Sequence, residues 1–93
     1  MADIEVETTE HGDRYECQVT VKEGRSETHH RVTLRKADYE RLAGGRASHA
    51  ALVTESFRFL LEREPKEAIL GSFDLTVIGR YFPRYEREIV KRL

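Results

Sequence analysis

The chain has 93 residues, of which 39% are hydrophobic and 35% are charged, and its net charge at pH 7 is −1. This length predicts one domain, residues 1–93, with a modest core, and the periodic grouping of the apolar residues argues against disorder. No apolar run approaches the roughly 18 residues that span a bilayer, and Met1–Glu5 is acidic where a signal peptide is basic and then apolar. With one cysteine, which cannot form an internal disulfide, these features predict a cytoplasmic protein with no membrane partner.

The charge is unevenly distributed along the chain. Residues 1–30 contain three basic and eight acidic residues, whereas residues 31–93 contain thirteen basic and nine acidic residues. The first part therefore carries a net charge of −5 and the second part +4. Such an asymmetry can orient a charged partner, but it does not specify a reaction.

Three segments in the first part alternate apolar and polar residues, which is typical of strands with one buried face. They are Ile4–Thr8, Tyr15–Val21 and Thr28–Leu34. The segments are joined by Gly12-Asp13 and Gly24-Arg25, and a two-residue II′ hairpin turn needs positive φ at its first central residue. Turns at these positions pair Val6 with Val19, Ile4 with Val21, Val19 with His30 and Cys17 with Val32. Because this register places every apolar residue on one side, it predicts a three-stranded antiparallel meander.

The second part has the apolar spacing of helices. The predicted helices are residues 37–43, stopped by Gly44-Gly45; residues 49–63, capped by Ser48; a helix after Pro65 that carries Ile69, Leu70 and Phe73; a short segment capped by Asp74 with Val77, Ile78 and Tyr81; and a last helix from Pro83 with Tyr85, Ile89 and Leu93 inward. A single sheet needs helices to cover its apolar face. The predicted fold is therefore α+β, a βββ sheet part at 1–35 followed by a helical part at 36–93 with three to five helices on one sheet face.

The stretch Tyr81–Glu86, with the sequence YFPRYE, contains three aromatic residues around a proline. Tyr81 has the helical spacing of Val77 and Ile78. The pattern therefore predicts that Tyr81, Phe82 and Tyr85 hold the last helix against the core, which leaves Arg84 as the candidate for an external contact.

Cys17 and His30 lie diagonally opposite each other in the predicted register, which raises a small-ligand or enzyme site that would also include Tyr39. The alternative is that both residues pack in the covered face of the sheet, with the histidine hydrogen-bonded to a protein group. A nucleophilic thiol is exposed and lies near positive charge, which a strand interior does not provide. No zinc-binding spacing, cofactor fingerprint or catalytic constellation is present, so the sequence predicts neither a metal, a cofactor nor an enzyme.

Two further groups of residues have the composition of anion sites. Gly44, Gly45, Arg46 and Ser48 precede a helix and could bind a phosphate, although a C-cap glycine and an N-cap serine explain the same residues. The second group is basic and consists of Arg31, Arg35, Lys36, Arg41 and Arg46, followed by Arg80, Arg84, Arg87, Lys91 and Arg92. Acidic residues are interleaved with this group and the pI is about 6.4, which favours a solvated surface over a nucleic-acid footprint.

The stretch Leu52–Glu86 resembles a small family of uncharacterised bacterial proteins. The shared patterns are His30–Thr33 (His-x-Val-Thr), Gly44-Gly45, Ser56–Pro65 (Ser-Phe-x-Phe-Leu-Leu-Glu-Arg-Glu-Pro), Phe73–Leu75 (Phe-Asp-Leu) and Tyr81–Tyr85 (Tyr-Phe-Pro-x-Tyr). Arg84 stands where the family pattern is acidic, and His49–Ala51 replaces a Pro-Glu-Glu helix start. The family has no established reaction or ligand, so the resemblance implies a common fold and transfers no active site.

The preferred functional hypothesis is a non-enzymatic protein-interaction module. Its partner would be another protein or a second copy of the chain, bound through a sheet edge at Ile4–Thr8 or Thr28–Leu34. The alternative is binding of RNA or DNA through the basic C-terminal half, with Arg80, Arg84, Arg87 and Lys91 as contacts. A ligand or enzyme site at Cys17, His30 and Tyr39 ranks last.

Overall fold

The computed structural model describes residues 2–93. The chain begins with three antiparallel strands, β1 (Asp3–His11), β2 (Arg14–Glu23) and β3 (Ser26–Arg35). All of the predicted pairs are confirmed: Val6 with Val19, Ile4 with Val21, Val19 with His30 and Cys17 with Val32. Gly12 and Gly24 have φ values of 57° and 62°, and no other residue type has positive φ among residues 2–93. The hairpins therefore have the backbone that a II′ turn requires.

Two helices cover one face of this sheet. Helix α1 (Lys36–Ala43) follows β3 directly and ends where Gly44 takes the left-handed conformation, with φ of 52°. Helix α2 (His49–Leu61) begins after Ser48, whose side chain accepts a hydrogen bond from the Ala51 amide at 3.0 Å. Both predicted caps are confirmed, and α2 ends two residues earlier than expected.

The core lies between α2 and the covered face of the sheet. Its fully buried side chains include Cys17, Val19, Val21, Val32 and Leu34 from the sheet and Leu52, Val53, Phe57 and Phe59 from α2. Alternation along β2 and β3 therefore sorts the apolar residues onto one face, as the sequence predicts.

The helix predicted after Pro65 does not form. Pro65 is followed by a single 3-10 turn, Lys66–Ala68, and then by strand β4 (Ser72–Asp74). β4 pairs in parallel with β3, and Phe73 is aligned with Val32. The sheet therefore has four strands in the order β1-β2-β3-β4, rather than three.

This error has a physical origin in long-range pairing. The spacing of Ile69, Leu70 and Phe73 suits a helix, but the Arg31 amide donates to the Gly71 carbonyl at 2.8 Å and draws the segment into the sheet. A local apolar period cannot report a partner on a distant strand.

Strand β4 also corrects the expectation of two open sheet edges. The edge of β3 at Thr28–Leu34 is occupied by β4 along Arg31–Thr33. The outer edge of β1 faces no other strand among the residues that the structure describes. Of the two predicted edges, that of β1 therefore stays free, and the short strand β4 replaces β3 as the other edge of the sheet.

The C-terminal segment begins with a 3-10 turn, Leu75–Val77, whose N-terminal backbone is capped by the Asp74 carboxylate at 2.9 Å. Helix α3 (Ile78–Tyr81) continues from this turn. Helix α4 (Tyr85–Arg92) begins two residues after Pro83, not at Pro83 as predicted. The order of these elements follows the sequence prediction, and only their boundaries differ.

Tyr85 holds α4 against α2. Its side chain is fully buried, and its hydroxyl lies 2.7 Å from the Ser56 Oγ. Burial raises the pKa of the Tyr85 hydroxyl above its ordinary range, so this group stays protonated and can hydrogen-bond. Its ring packs edge-on against Phe59, 5.4 Å between centroids, and Phe82 packs on the same ring at 5.9 Å. Phe82 and Tyr85 therefore have the structural role that the sequence predicts.

Tyr81 does not share that role. It lies on one helical side with Val77 and Ile78, as predicted, but 68% of its surface is exposed. The expectation that Tyr81 packs in the core is wrong, because its helix turns this residue toward the rim of an open groove.

None of the helices described within residues 2–93 is long and apolar enough to cross a membrane.

The different burial of the two tyrosines predicts different costs of truncation. Replacing Tyr85 with alanine should lower the free energy of unfolding by about 3–5 kcal/mol, because it leaves a cavity beside Phe59. Replacing Tyr81 with alanine should change it by less than about 0.5 kcal/mol, as for other exposed residues. Urea unfolding of the two variants measures this difference, and equal losses would contradict the placement of Tyr81.

Candidate functional site

An apolar groove lies where the C-terminal end of α2 meets β4 and α3. Its volume is about 340 Å³. It is lined by Leu60 of α2 and Glu64 of the turn after it, by Ala68, Ile69, Leu70 and Phe73 from the segment that includes β4, and by Val77, Ile78, Tyr81 and Phe82 from the α3 region. This volume is within the range of binding sites, roughly 300–1,000 Å³.

The two most exposed large apolar side chains of the described residues both line this groove. Leu70 is 47% exposed and Tyr81 is 68% exposed. Their neighbours Ile69 and Ile78 are buried at the bottom of the same region. The groove therefore presents a continuous apolar surface from the core to the solvent.

The segment before β4 is fixed at both of its ends by polar contacts. Lys66 is 4% exposed, and its ammonium group lies 2.6 Å from the Glu67 carboxylate and 3.9 Å from that of Glu23, at the end of β2. Pro65 precedes this turn with an extended backbone, ψ of 157°. The turn is therefore held against the β2–β3 hairpin, and the following residues are directed toward β3.

His30 fixes the other end of the segment. Its Nδ1 lies 2.7 Å from the Leu70 carbonyl oxygen, which can only accept, so Nδ1 carries the proton. Nε2 of the neutral ring then accepts from the Thr28 hydroxyl at 2.8 Å. The ring also packs against Phe57, 5.3 Å between centroids. His30 therefore satisfies the Leu70 backbone while leaving the Leu70 side chain free to line the groove.

The candidate ligand site at Cys17, His30 and Tyr39 is not assembled as one cluster. Cys17 is fully buried, and burial raises the pKa of its thiol, which suppresses the thiolate that a nucleophile needs. Tyr39 lies elsewhere, donating to the Ala47 carbonyl at 2.6 Å. A shallow depression of about 300 Å³ includes His30 but neither of the other two side chains.

Tyr39 instead belongs to an aromatic cluster that the sequence does not indicate. The rings of Tyr15 and His49 stack at 4.1 Å between centroids, and Tyr39 packs edge-on against both. The aromatic cluster joins β2, α1 and the start of α2, which is a packing role.

No set of three or more potential metal-binding side chains comes together within residues 2–93.

The polar groups of the candidate anion segment cap the two neighbouring helices, α1 and α2. Arg46 donates from its guanidinium to the carbonyls of Leu42 at 2.9 Å and Ala43 at 3.1 Å, which are at the C-terminal end of α1. Ser48 caps α2, and Gly45 has a φ of 82° that favours glycine. These contacts match the structural alternative named above for Gly44, Gly45, Arg46 and Ser48.

The basic residues are divided between two sides of the molecule. Arg84 at the N-cap of α4 and Arg87 and Lys91 within the helix form a line opposite its buried face, and these three residues and Arg80 are exposed. Arg31 lies on the open face of the sheet, because it alternates with the buried His30 and Val32. Five other basic residues are engaged: Arg35 with Asp74, Lys36 with Glu10, Arg41 with Glu86, Arg46 with the α1 carbonyls, and Arg92 with Glu62.

No protein-family model matches the chain, and no curated protein or solved structure shows significant similarity to it. Function is therefore inferred from the geometry described above. Among the features of residues 2–93, the groove combines concavity, apolar lining and exposed large side chains, and for that reason it is the candidate functional site.

Most of the residues that line the groove could be singled out from the sequence, but their secondary structure or their burial was predicted wrongly. The helix that the sequence predicts after Pro65 carries Ile69, Leu70 and Phe73, and Tyr81 is predicted to pack in the core. In the structure this segment is not helical, and Ile69 is buried whereas Leu70 is exposed. The available signal is Gly71, which interrupts the supposed helix and precedes β4.

The contact between His30 and Leu70 can be tested by removing the hydrogen bond while keeping the ring. The substitution His30→Phe should preserve packing on Phe57 but leave the Leu70 carbonyl without its donor. We expect the free energy of unfolding to fall by about 1–3 kcal/mol. The matched control is His29→Phe on the open face of the sheet, which should change it by less than about 0.5 kcal/mol. Equal stabilities of the two variants in urea unfolding would show that the contact contributes nothing.

Proposed function

We propose that the chain is a non-enzymatic protein-interaction module and that the apolar groove is its docking surface. The observation that carries this proposal is the exposure of Leu70 and Tyr81 beside an apolar concavity. Exposed apolar surface costs free energy in water, and contiguous patches of it mark interaction sites. A reducing compartment such as the cytoplasm suits the single free thiol of Cys17.

A protein segment accounts for the rim better than a small molecule does. A small apolar ligand would fill the concavity but leave Leu70 and Tyr81 in contact with water. A protein segment covers both the concavity and its rim, and tyrosine is among the side chains that contribute most to such interfaces. The exposed fractions of these two residues therefore favour a macromolecular occupant.

The charges on β1 favour a different protein as the partner over a second copy of this chain bound through β1. The outward side chains of β1 include Asp3, Glu5 and Glu7, all exposed. A two-fold antiparallel pair of β1 strands would place these carboxylates opposite one another. Like charges in directly opposed positions destabilise a sheet, so this edge opposes self-association.

The docking proposal predicts that peptides bind through the groove rim. A display library of random dodecapeptides selected on the wild-type protein should yield binders rich in bulky apolar residues. The substitutions Leu70→Ser and Tyr81→Ser should each weaken the best of these peptides by about tenfold or more, as truncation of central interface residues does. Fluorescence anisotropy of the labelled peptide measures the affinities.

The matched control is Gln18→Ser, because Gln18 is exposed on the opposite face of the sheet. Its affinity for the peptide should equal that of the wild type. Because Leu70 and Tyr81 are exposed, the groove variants should also unfold at the wild-type urea concentration. A selection without enriched peptides, or binding that both groove variants retain in full, would contradict the proposed docking surface.

Nucleic-acid binding is a second candidate because Arg84, Arg87 and Lys91 are exposed and belong to no ion pair among the described residues. Their spacing on α4 could follow a phosphate backbone. If all three bind phosphates of a single-stranded RNA, replacing them with glutamine should reduce the slope of log affinity against log salt by about 2. An unchanged slope in anisotropy titrations with oligouridine would rule this candidate out.

A further inference from the structure

Glu64 carries the one carboxyl group among the residues that line the apolar groove, and no lysine, arginine or histidine lines it. It is partly buried, and it belongs to no ion pair within residues 2–93. A partner that covers the groove therefore meets a carboxylate that has no counter-ion among the described residues.

The cations nearest to Glu64 in sequence are already paired. Arg63 lies 3.3 Å from the Glu62 carboxylate. Lys66 is buried and lies 2.6 Å from the Glu67 carboxylate. Arg80 is exposed on α3 but does not line the groove. The negative charge of Glu64 is therefore available to whatever enters the groove.

A partner that covers the groove removes the remaining water from this carboxylate. If the partner is neutral there, Glu64 becomes a buried charge without a counter-ion, which opposes binding. If the partner is acidic there, repulsion is added to the loss of hydration. If the partner places a lysine or arginine there, the carboxylate gains a charge-assisted hydrogen bond in a site from which water is excluded.

We propose that the segment bound in the groove carries a lysine or arginine beside its bulky apolar residues, and that this cation pairs with Glu64. The apolar residues fill the concavity between Leu60, Phe73 and Ile78, and the cation lies at the end of the groove formed by α2. Glu64 thereby selects among apolar segments by charge. This inference rests on the proposed docking function and adds the chemistry of the partner to it.

The test is a parallel selection from one displayed library of random dodecapeptides on three proteins: the wild type, Glu64→Lys and Glu7→Lys. Peptides enriched on the wild type should carry Lys or Arg next to bulky apolar residues. Peptides enriched on Glu64→Lys should carry Asp or Glu in that place. Glu7→Lys introduces the same change of charge on the open face of the sheet, where Glu7 is exposed and unpaired, and it should enrich the same peptides as the wild type.

A second measurement gives the size of the effect and guards against misfolding. The best wild-type peptide should bind Glu64→Lys at least about tenfold more weakly, and Glu64→Gln by a smaller factor. Both variants should unfold as the wild type does, since a positive charge near the C-terminal end of α2 is compatible with the helix dipole.

The outcomes separate this inference from the proposed function. Enriched apolar peptides that bind through Leu70 and Tyr81 but show no preference for Lys or Arg would overturn the role of Glu64 and leave the docking surface in place. Enrichment of the same basic residues on Glu64→Lys would also overturn it, because the preference would then come from another part of the protein. No enrichment on any of the three proteins would contradict both proposals.

Discussion

The return of the chain to β3 is the constraint on which the rest of the structure depends. After α2, the backbone comes back beside β3, where the Arg31 amide donates to the Gly71 carbonyl and His30 donates to the Leu70 carbonyl. These two hydrogen bonds join residues that are far apart in sequence, so they close a long loop that contains α1 and α2. Closing this loop costs conformational entropy. In return the sheet gains a fourth strand, which supports the C-terminal helices.

The same contacts decide which side chains face water. Because residues 69–71 lie outside any helix, these neighbours differ in burial: Ile69 is 7% exposed and belongs to the core, whereas Leu70 is 47% exposed. The partly buried ring of Phe73 packs near Phe57, 6.1 Å between centroids. What remains between α2, β4 and α3 is a concavity that the chain itself does not fill. Phe82 lines this concavity and also packs on Phe59, which Tyr85 contacts as well.

The sheet could be predicted from the sequence because its signals are local. The alternation of apolar and polar residues along each strand, together with the turn residues Gly12 and Gly24, specifies the register without knowledge of any distant contact. The signals for the helix caps, Gly44 and Ser48, are equally local. Fold class and the first three strands follow from these features alone. The pairing of β4 does not, since three residues are too few to show a period and their partner lies on another element.

The candidate site could be predicted only in its composition. Its apolar residues are visible in the sequence, but apolar residues at helical spacing are usually core residues, and nothing local indicates that Leu70 and Tyr81 are left exposed. The candidates that did stand out, Cys17, His30 and Arg46, are the ones whose polar groups the fold uses internally. His30 illustrates this most clearly, because its two ring nitrogens are both bound and its effect on the groove is exerted through the Leu70 backbone.

Charge and apolar surface are separated in this molecule in a way that suits recognition. The acidic β1 edge, the basic line on α4 and the apolar groove lie on different elements, and the groove contains a single carboxylate. Apolar contact supplies most of the free energy of association, whereas charge determines which partners are rejected. The proposed interaction module would need no catalytic residue, and its specificity would depend on how firmly the groove walls are held.

The most direct test of this account is the hydrogen-exchange rate of the Arg31 amide, measured residue by residue by NMR in the unmodified protein. If the chain returns to β3 as described, this amide is hydrogen-bonded to Gly71 and should exchange as slowly as the amides between β2 and β3. Exchange at the rate of an unprotected edge amide would mean that β3 has a free edge. The groove would then lack the wall that β4 and Leu70 provide, and the account would be wrong.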